Sequence, residues 1–102
     1  MIKVQKRDGR IVDYDRDKIV TAIEKANAEV DTEERADKQM IGGILDYVEK
    51  QPYDVLNVEA IQDMIESSLV KQNKYILSKK YMIYRYQRAL LRKANTTDES
   101  IL

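Results

Sequence analysis

Apolar positions along this chain come first in two short runs and then at helical spacing. Ile2–Val4 and Arg10–Tyr14 predict short strands, and Asp8–Gly9 between them is a strong hairpin-turn signal. A hairpin this short needs something to lie on. From about Arg16 to Ala28 the spacing of Ile19, Ala22, Ile23 and Ala26 predicts a first helix with Asp15 as its N-cap. Asp31, with Glu34 three residues on, resembles a capping box and predicts a second helix from about Thr32 to Lys50. Its stripe is Met40, Ile41, Ile44, Leu45 and Val48. Gly42 and Gly43 inside it cost about 1 kcal/mol each and would let another element approach closely. Pro52 ends that helix, and Tyr53–Leu56 reads as extended, a candidate third strand. Asn57 then caps a third helix, about Val58 to Gln72, with Ile61, Met64, Ile65 and Leu69 inward. After the break at Asn73–Lys74, a fourth helix is predicted from about Ile76 to Lys93. Leu77, Tyr81, Tyr84 and Arg88 share one side of it, and Ile83, Tyr86 and Leu90 the adjoining side. So wide a face predicts that this helix is the most buried of the four. The fold class expected is α+β: a four-helix bundle capped by a small two- or three-stranded sheet.

Length and composition narrow the chemistry. The 102 residues fit one small domain, and 43% hydrophobic with 35% charged residues supports a modest core. No Cys and no His are present, which removes disulfides, thiol nucleophiles, imidazole acid–base chemistry and ordinary structural zinc. No apolar run approaches the ~20 residues of a membrane span, and the first ten residues lack a signal-peptide core, so a soluble, cytoplasmic module without a membrane partner is expected. Charge is segregated although the net is zero. Residues 26–70 hold three Lys/Arg against eleven Asp/Glu, while residues 71–93 hold eight Lys/Arg and no acid. The basic stretch points to an anionic partner, or else to pairing with the acidic middle.

Three places could carry that chemistry. Lys6 and Arg7 stand beside a tight turn, where backbone N–H groups and cations together can hold phosphate. Lys18 lies near the start of the first helix, where the dipole disfavours a cation unless an anion faces it and where backbone N–H groups make a phosphate seat. On the fourth helix Lys79, Lys80, Arg85, Arg88, Arg92 and Lys93 interleave with Tyr81, Tyr84 and Tyr86, a pattern suited to stacking a base and neutralising phosphates. Each has a bland counterpart: a solvated basic turn, a Lys balanced by Asp15 and Asp17, and core tyrosines beside solvated cations. No carboxylate pair is spaced for general acid–base work.

Taken together, V-Q-K-R-D-G-R at 4–10, Y-D-R-D-K-I at 14–19, V-E-A-I-Q-D at 58–63 and S-K-K-Y-M-I-Y-R at 78–85 resemble the ATP-cone, a regulatory module at the N-terminus of many ribonucleotide reductases. The resemblance covers roughly residues 2–90, with the motifs in the family's order. The tail from Tyr84 on looks most like the anaerobic, glycyl-radical (class III) reductases. The resemblance implies a regulatory domain over residues 1–93, with 94–102 beginning a linker to a catalytic domain. It implies binding of ATP or dATP, one or two per domain, with Mg²⁺ carried on the phosphates rather than by side chains alone. It implies that ATP permits and dATP stops reductase activity, through cone–cone or cone–core contacts that change oligomerisation or the organisation of the catalytic domain. The isolated domain would then be no enzyme. By the same resemblance Lys6 and Arg7 meet phosphates, Val4 lies by the base or sugar, and Lys18 with Ile19 contacts the nucleotide. Ile61 and Gln62 lie near the base, and Lys79, Tyr84 and Arg85 complete the set. Three other readings compete: the ATP-cone of a nucleotide-responsive transcriptional repressor, a structural interaction domain with no ligand, and a basic helical nucleic-acid-binding module using residues 71–93. The last predicts a steep salt dependence of binding.

Overall fold

The computed structural model describes the backbone of residues 2–101 and the side chains of residues 2–94. Strands β1 (Lys3–Gln5) and β2 (Ile11–Asp13) form the hairpin, antiparallel, with Val4 opposite Val12. The turn closes through Lys6 N–H to the Arg10 carbonyl at 2.7 Å and Gly9 N–H to the Lys6 carbonyl at 3.0 Å. Gly9 has φ +92°, a conformation that a side chain would strain. The extended stretch near Tyr53 does become a strand, β3 (Val55–Asn57), parallel to β1 with Leu56 opposite Val4, so the sheet order is β2-β1-β3.

Four α-helices carry the rest. Asp15 caps α1 (Arg16–Asn27), accepting from Asp17 N–H at 3.1 Å, and Asn57 caps α3 (Val58–Lys71), accepting from Glu59 N–H at 2.8 Å. At the end of α3, Asn73 takes φ +62° while Lys74 N–H reaches back to the Leu69 carbonyl and Asn73 N–H to that of Val70, both at 2.9 Å. This left-handed closure satisfies carbonyls that the helix end leaves open and sets the sharp return into α4 (Tyr75–Ile101). The core gathers Val4 and Leu56 from the sheet with Ile23, Leu45, Val48, Ile65, Leu69, Leu77 and Tyr81 from the helices.

The second helix departs from expectation. It is α2 (Lys38–Glu49), capped by Asp37, whose Oδ1 accepts from Met40 N–H at 2.8 Å. Thr32–Glu34 is only a short 3-10 turn, and Asp31 makes no capping bond. The reason is tertiary. The Asn27 amide holds Ala36 from both sides, its Nδ2 donating to the carbonyl at 2.9 Å and its Oδ1 accepting from the N–H at 3.0 Å. Arg35 Nε donates to the carbonyls of Asn27 and Val30 at 3.0 and 3.2 Å. With Val30 and Ala36 buried, the chain between them is held extended at Arg35 and cannot continue a helix.

The fourth helix is not the most buried. Among its described residues only Leu77, Ser78 and Tyr81 are buried, whereas Ile76, Met82, Ile83, Tyr86, Leu90 and Leu91 are exposed. Its beginning packs on α1 and α3, and the rest runs on beyond the core. A 27-residue helix is about 40 Å long, against a molecular long axis of 47 Å. The helix passes the predicted end at Lys93 and runs on through residues 94–101 of the stretch 94–102 expected to begin a linker, whose side chains from 95 onward lie outside the described residues.

Gly42 and Gly43 serve no close approach: a Cβ added at either would meet nothing within 4 Å. Gly43→Ala is therefore expected to stabilise the domain by about 0.5–1 kcal/mol. A urea melt checks this, and a lowered midpoint would mean that the glycine has a role the packing does not show.

Candidate functional site

The hairpin, α1, α3 and α4 enclose one cleft with three chambers. The inner chamber, about 130 Å³, is walled by Val4, Val12, Ile19, Ala22, Ile61 and Tyr81, with Lys6, Lys18 and Gln62 also lining it. An outer chamber of about 700 Å³ lies between the hairpin turn and α4 and is lined by Lys6, Arg7, Arg10, Arg85, Arg92 and Lys93. A second outer chamber, about 560 Å³, lies between α1 and α4 and brings Lys18, Tyr84, Arg85, Arg88 and Arg92 together. Lys6, Val58 and Gln62 line all three, so the chambers meet there. The local reasons are simple. The Gly9 turn lifts Lys6 and Arg7 off the sheet edge, and Asn57 starts α3 directly from β3, which brings Val58, Ile61 and Gln62 under the hairpin.

Nine of the ten residues expected at a nucleotide site line this cleft: Val4, Lys6, Arg7, Lys18, Ile19, Ile61, Gln62, Tyr84 and Arg85. Lys79 does not. It is exposed on α4, one position after buried Ser78, and lines none of these chambers. The backbone seat expected at the start of α1 is partly taken, since Asp17 N–H is bonded to Asp15. Side chains, not free helix N–H groups, therefore dominate there. Val58 and Arg10 join the cleft although neither was singled out as a site residue, and so do Tyr81, Arg88 and Arg92, which the sequence offered only within the basic–aromatic pattern of the fourth helix. Tyr81 sits at helical spacing from Leu77 and reads as core, which it is. Only the crossing of α4 over α1 and α3 also makes it a cleft wall.

The electrostatics favour an anion. The Lys6 ammonium is held below the ordinary lysine range by partial burial and by Lys18, Arg92 and Arg10, with only Asp8 opposing. A negative ligand would relieve that crowding. Two other cations are engaged by carboxylates of α3. Arg7 Nε donates to Glu59 Oε1, and Arg85 reaches Glu66 Oε2 at 2.6 Å and Glu59 Oε2 at 3.6 Å. Glu59 thus bridges the hairpin turn to α4 across the mouth.

A separate groove of about 500 Å³ between α2 and α3 has Lys71 as its single cation and none of the expected site residues. Among the described residues there is no cluster of three or more acidic or other metal-binding side chains, and no helix long and apolar enough to cross a membrane.

The cleft joins an apolar chamber to two rich in cations, an arrangement that would fit a ligand with an apolar end and an anionic one. By sequence the chain matches the family model of the ATP cone domain over residues 2–90, and it belongs to that family. ATP cones are nucleotide-binding regulatory domains rather than catalytic ones.

Proposed function

We propose that this domain binds ATP and dATP in the three-chambered cleft and sets the overall activity of a ribonucleotide reductase, most similar to the anaerobic glycyl-radical class. The observation that carries this reading is the meeting of an apolar chamber with two cationic ones at Lys6 and Gln62. The base enters the inner chamber against Val4, Ile19 and Ile61. The phosphates lie among Lys6, Arg7, Lys18 and Arg85, with Tyr84 beside them. A nucleotide triphosphate brings about four negative charges, each better served by charge-assisted bonds than by isolated cations. Mg²⁺ travels on the phosphates, since the described residues hold no group of three or more side chains that could bind the ion by themselves. The two outer chambers have room for one nucleotide or two.

Regulation follows from which surfaces each nucleotide favours. ATP and dATP differ by one hydroxyl, worth about 0.5–1.5 kcal/mol as a hydrogen bond. The switch therefore lies in different arrangements of the cleft elements, read by contacts with a second cone or with a catalytic domain in the same chain. The cleft supports this over nucleic-acid binding, since Arg85, Arg88 and Arg92 converge with Lys6 and Lys18 on one chamber.

Isothermal titration of ATP and of dATP with Mg²⁺ tests the proposal. Micromolar or tighter binding is expected, and the stoichiometry counts the nucleotides. A folded sample that binds neither would sink it. In the same assay Glu59→Gln is expected to tighten ATP binding about two- to fivefold, by removing a competitor worth about 0.5–1 kcal/mol at such an exposed ion pair. Weaker binding would mean instead that Glu59 takes part in holding the ligand.

A further inference from the structure

The inner wall of the cleft holds a hydrogen-bonded polar pair. Tyr81 is 2% exposed, and its hydroxyl donates to Oε1 of Gln62. Burial, with Glu66 nearby, pushes the ionisation of this phenol upward, so the proton stays on its oxygen at neutral pH. A phenol has one proton to give, and an amide has one acceptor end and one donor end. Turning the amide over would make its NH2 donate to the phenol oxygen, and the phenol proton would then need another acceptor. Gln62 is half-buried and lines all three chambers. Tyr81 occupies one lone pair of Oε1, while Nε2 makes no hydrogen bond within the described residues and is turned from Tyr81 as the donor end.

We propose that Tyr81 is a positioning residue that locks the Gln62 amide, so that Gln62 offers an N–H donor where the chambers meet and selects nucleotides with an acceptor atom there. The inference rests on the nucleotide reading of the same cleft. A base in the inner chamber and phosphates among the cations bring the base–sugar boundary to Gln62. The acceptor is then a purine ring nitrogen or a ribose hydroxyl oxygen. Both are met by the same donor, and they differ in which ligand atom must be removed to lose the bond.

The test is a scan of ligand atoms against residues. Titration calorimetry with Mg²⁺ compares ATP with 1-deaza-ATP, 3-deaza-ATP, 7-deaza-ATP and dATP, on the native domain, Tyr81→Phe and Gln62→Met. On the native domain one analogue is expected to bind about three- to tenfold more weakly than ATP, the share of one hydrogen bond. Which analogue does so distinguishes ring nitrogen from sugar oxygen. In Gln62→Met that gap should close to within about twofold, and in Tyr81→Phe, where the amide is no longer held, it should narrow, while the ratios for the other analogues hold. A Tyr81 that merely packs would lower all affinities together and leave every ratio unchanged, which overturns the proposal. So does a native domain that penalises no analogue, or a gap lost in Gln62→Met but kept in Tyr81→Phe. Tyr81→Phe keeps the buried ring, and circular dichroism verifies its fold. Absence of ATP binding to the native domain would overturn the nucleotide reading itself, a distinct result.

Discussion

Replacing Lys6 and Arg7 together by Ala is expected to weaken ATP and dATP binding at least tenfold, or about 1.4 kcal/mol. Lys6 supplies the larger share. It is half-buried at the junction of the three chambers and is crowded by other cations before any ligand arrives. A hydrogen bond to a charged group is worth about 1.5–3 kcal/mol, and the partly desolvated site strengthens it further. Arg7 contributes less, because it must first leave Glu59. Its net gain is the difference between a phosphate and a carboxylate partner. Calorimetry on the single and double variants separates the two. Lys79→Ala serves as the control, since Lys79 is exposed and lines none of the chambers. Its affinity should stay within about twofold of the native value. A Lys79 effect larger than the Lys6 effect would place the phosphates elsewhere along α4.

Leu77→Ala is expected to destabilise the domain by about 2–5 kcal/mol, the usual range for emptying a fully buried leucine site. Native stabilities run to about 5–15 kcal/mol, so the loss is a large part of the whole. Leu77 is 0% exposed and, with Ser78 and Tyr81, forms the buried part of α4 among its described residues. Ser78 adds a bond from its hydroxyl to the Glu66 carbonyl at 3.3 Å. With so short a docked segment, one lost side chain loosens the attachment of the whole helix. Tyr84, Arg85 and Arg88 would leave the cleft with it, so nucleotide affinity should fall alongside stability, although Leu77 lines no chamber. Denaturant melts of Leu77→Ala and Ile83→Ala check this. Ile83 is 49% exposed, and its loss should cost no more than about 0.5 kcal/mol. A reversed order would mean that α4 is docked through its other face.

Much of the fold was legible in the sequence because its signals are local. Asp8–Gly9 makes a turn wherever it is placed, because Gly9 takes positive φ without strain. Asp15 and Asn57 cap helices through backbone groups two residues away. The inward stripes of α1, α2 and α3 follow from spacing. The same local reasoning misplaced the start of α2. Asp31 and Asp37 are both sound capping residues, and the choice between them rests with the Asn27 amide and the burial of Val30 and Ala36, contacts nine and more residues apart.

The cleft divides in the same way. Lys6, Arg7 and Lys18 stand out by sequence because their charges sit where turn and helix-end chemistry make them noticeable. The pattern on α4 was ambiguous, because periodicity says which residues share a side but not what that side meets. Leu77, Tyr81, Tyr84 and Arg88 do share one. The first two enter the core, and the last two line the outer chamber. The sequence by itself determined the order of the elements, the caps that start α1 and α3, and the cations available to an anionic ligand. How far along α4 the core extends, that Lys79 lines none of the chambers, and that the Tyr81 hydroxyl meets Gln62 Oε1 emerged from the tertiary arrangement. Those outcomes depend on where helices cross, and a crossing is set by packing between residues distant in the chain, which no local pattern encodes.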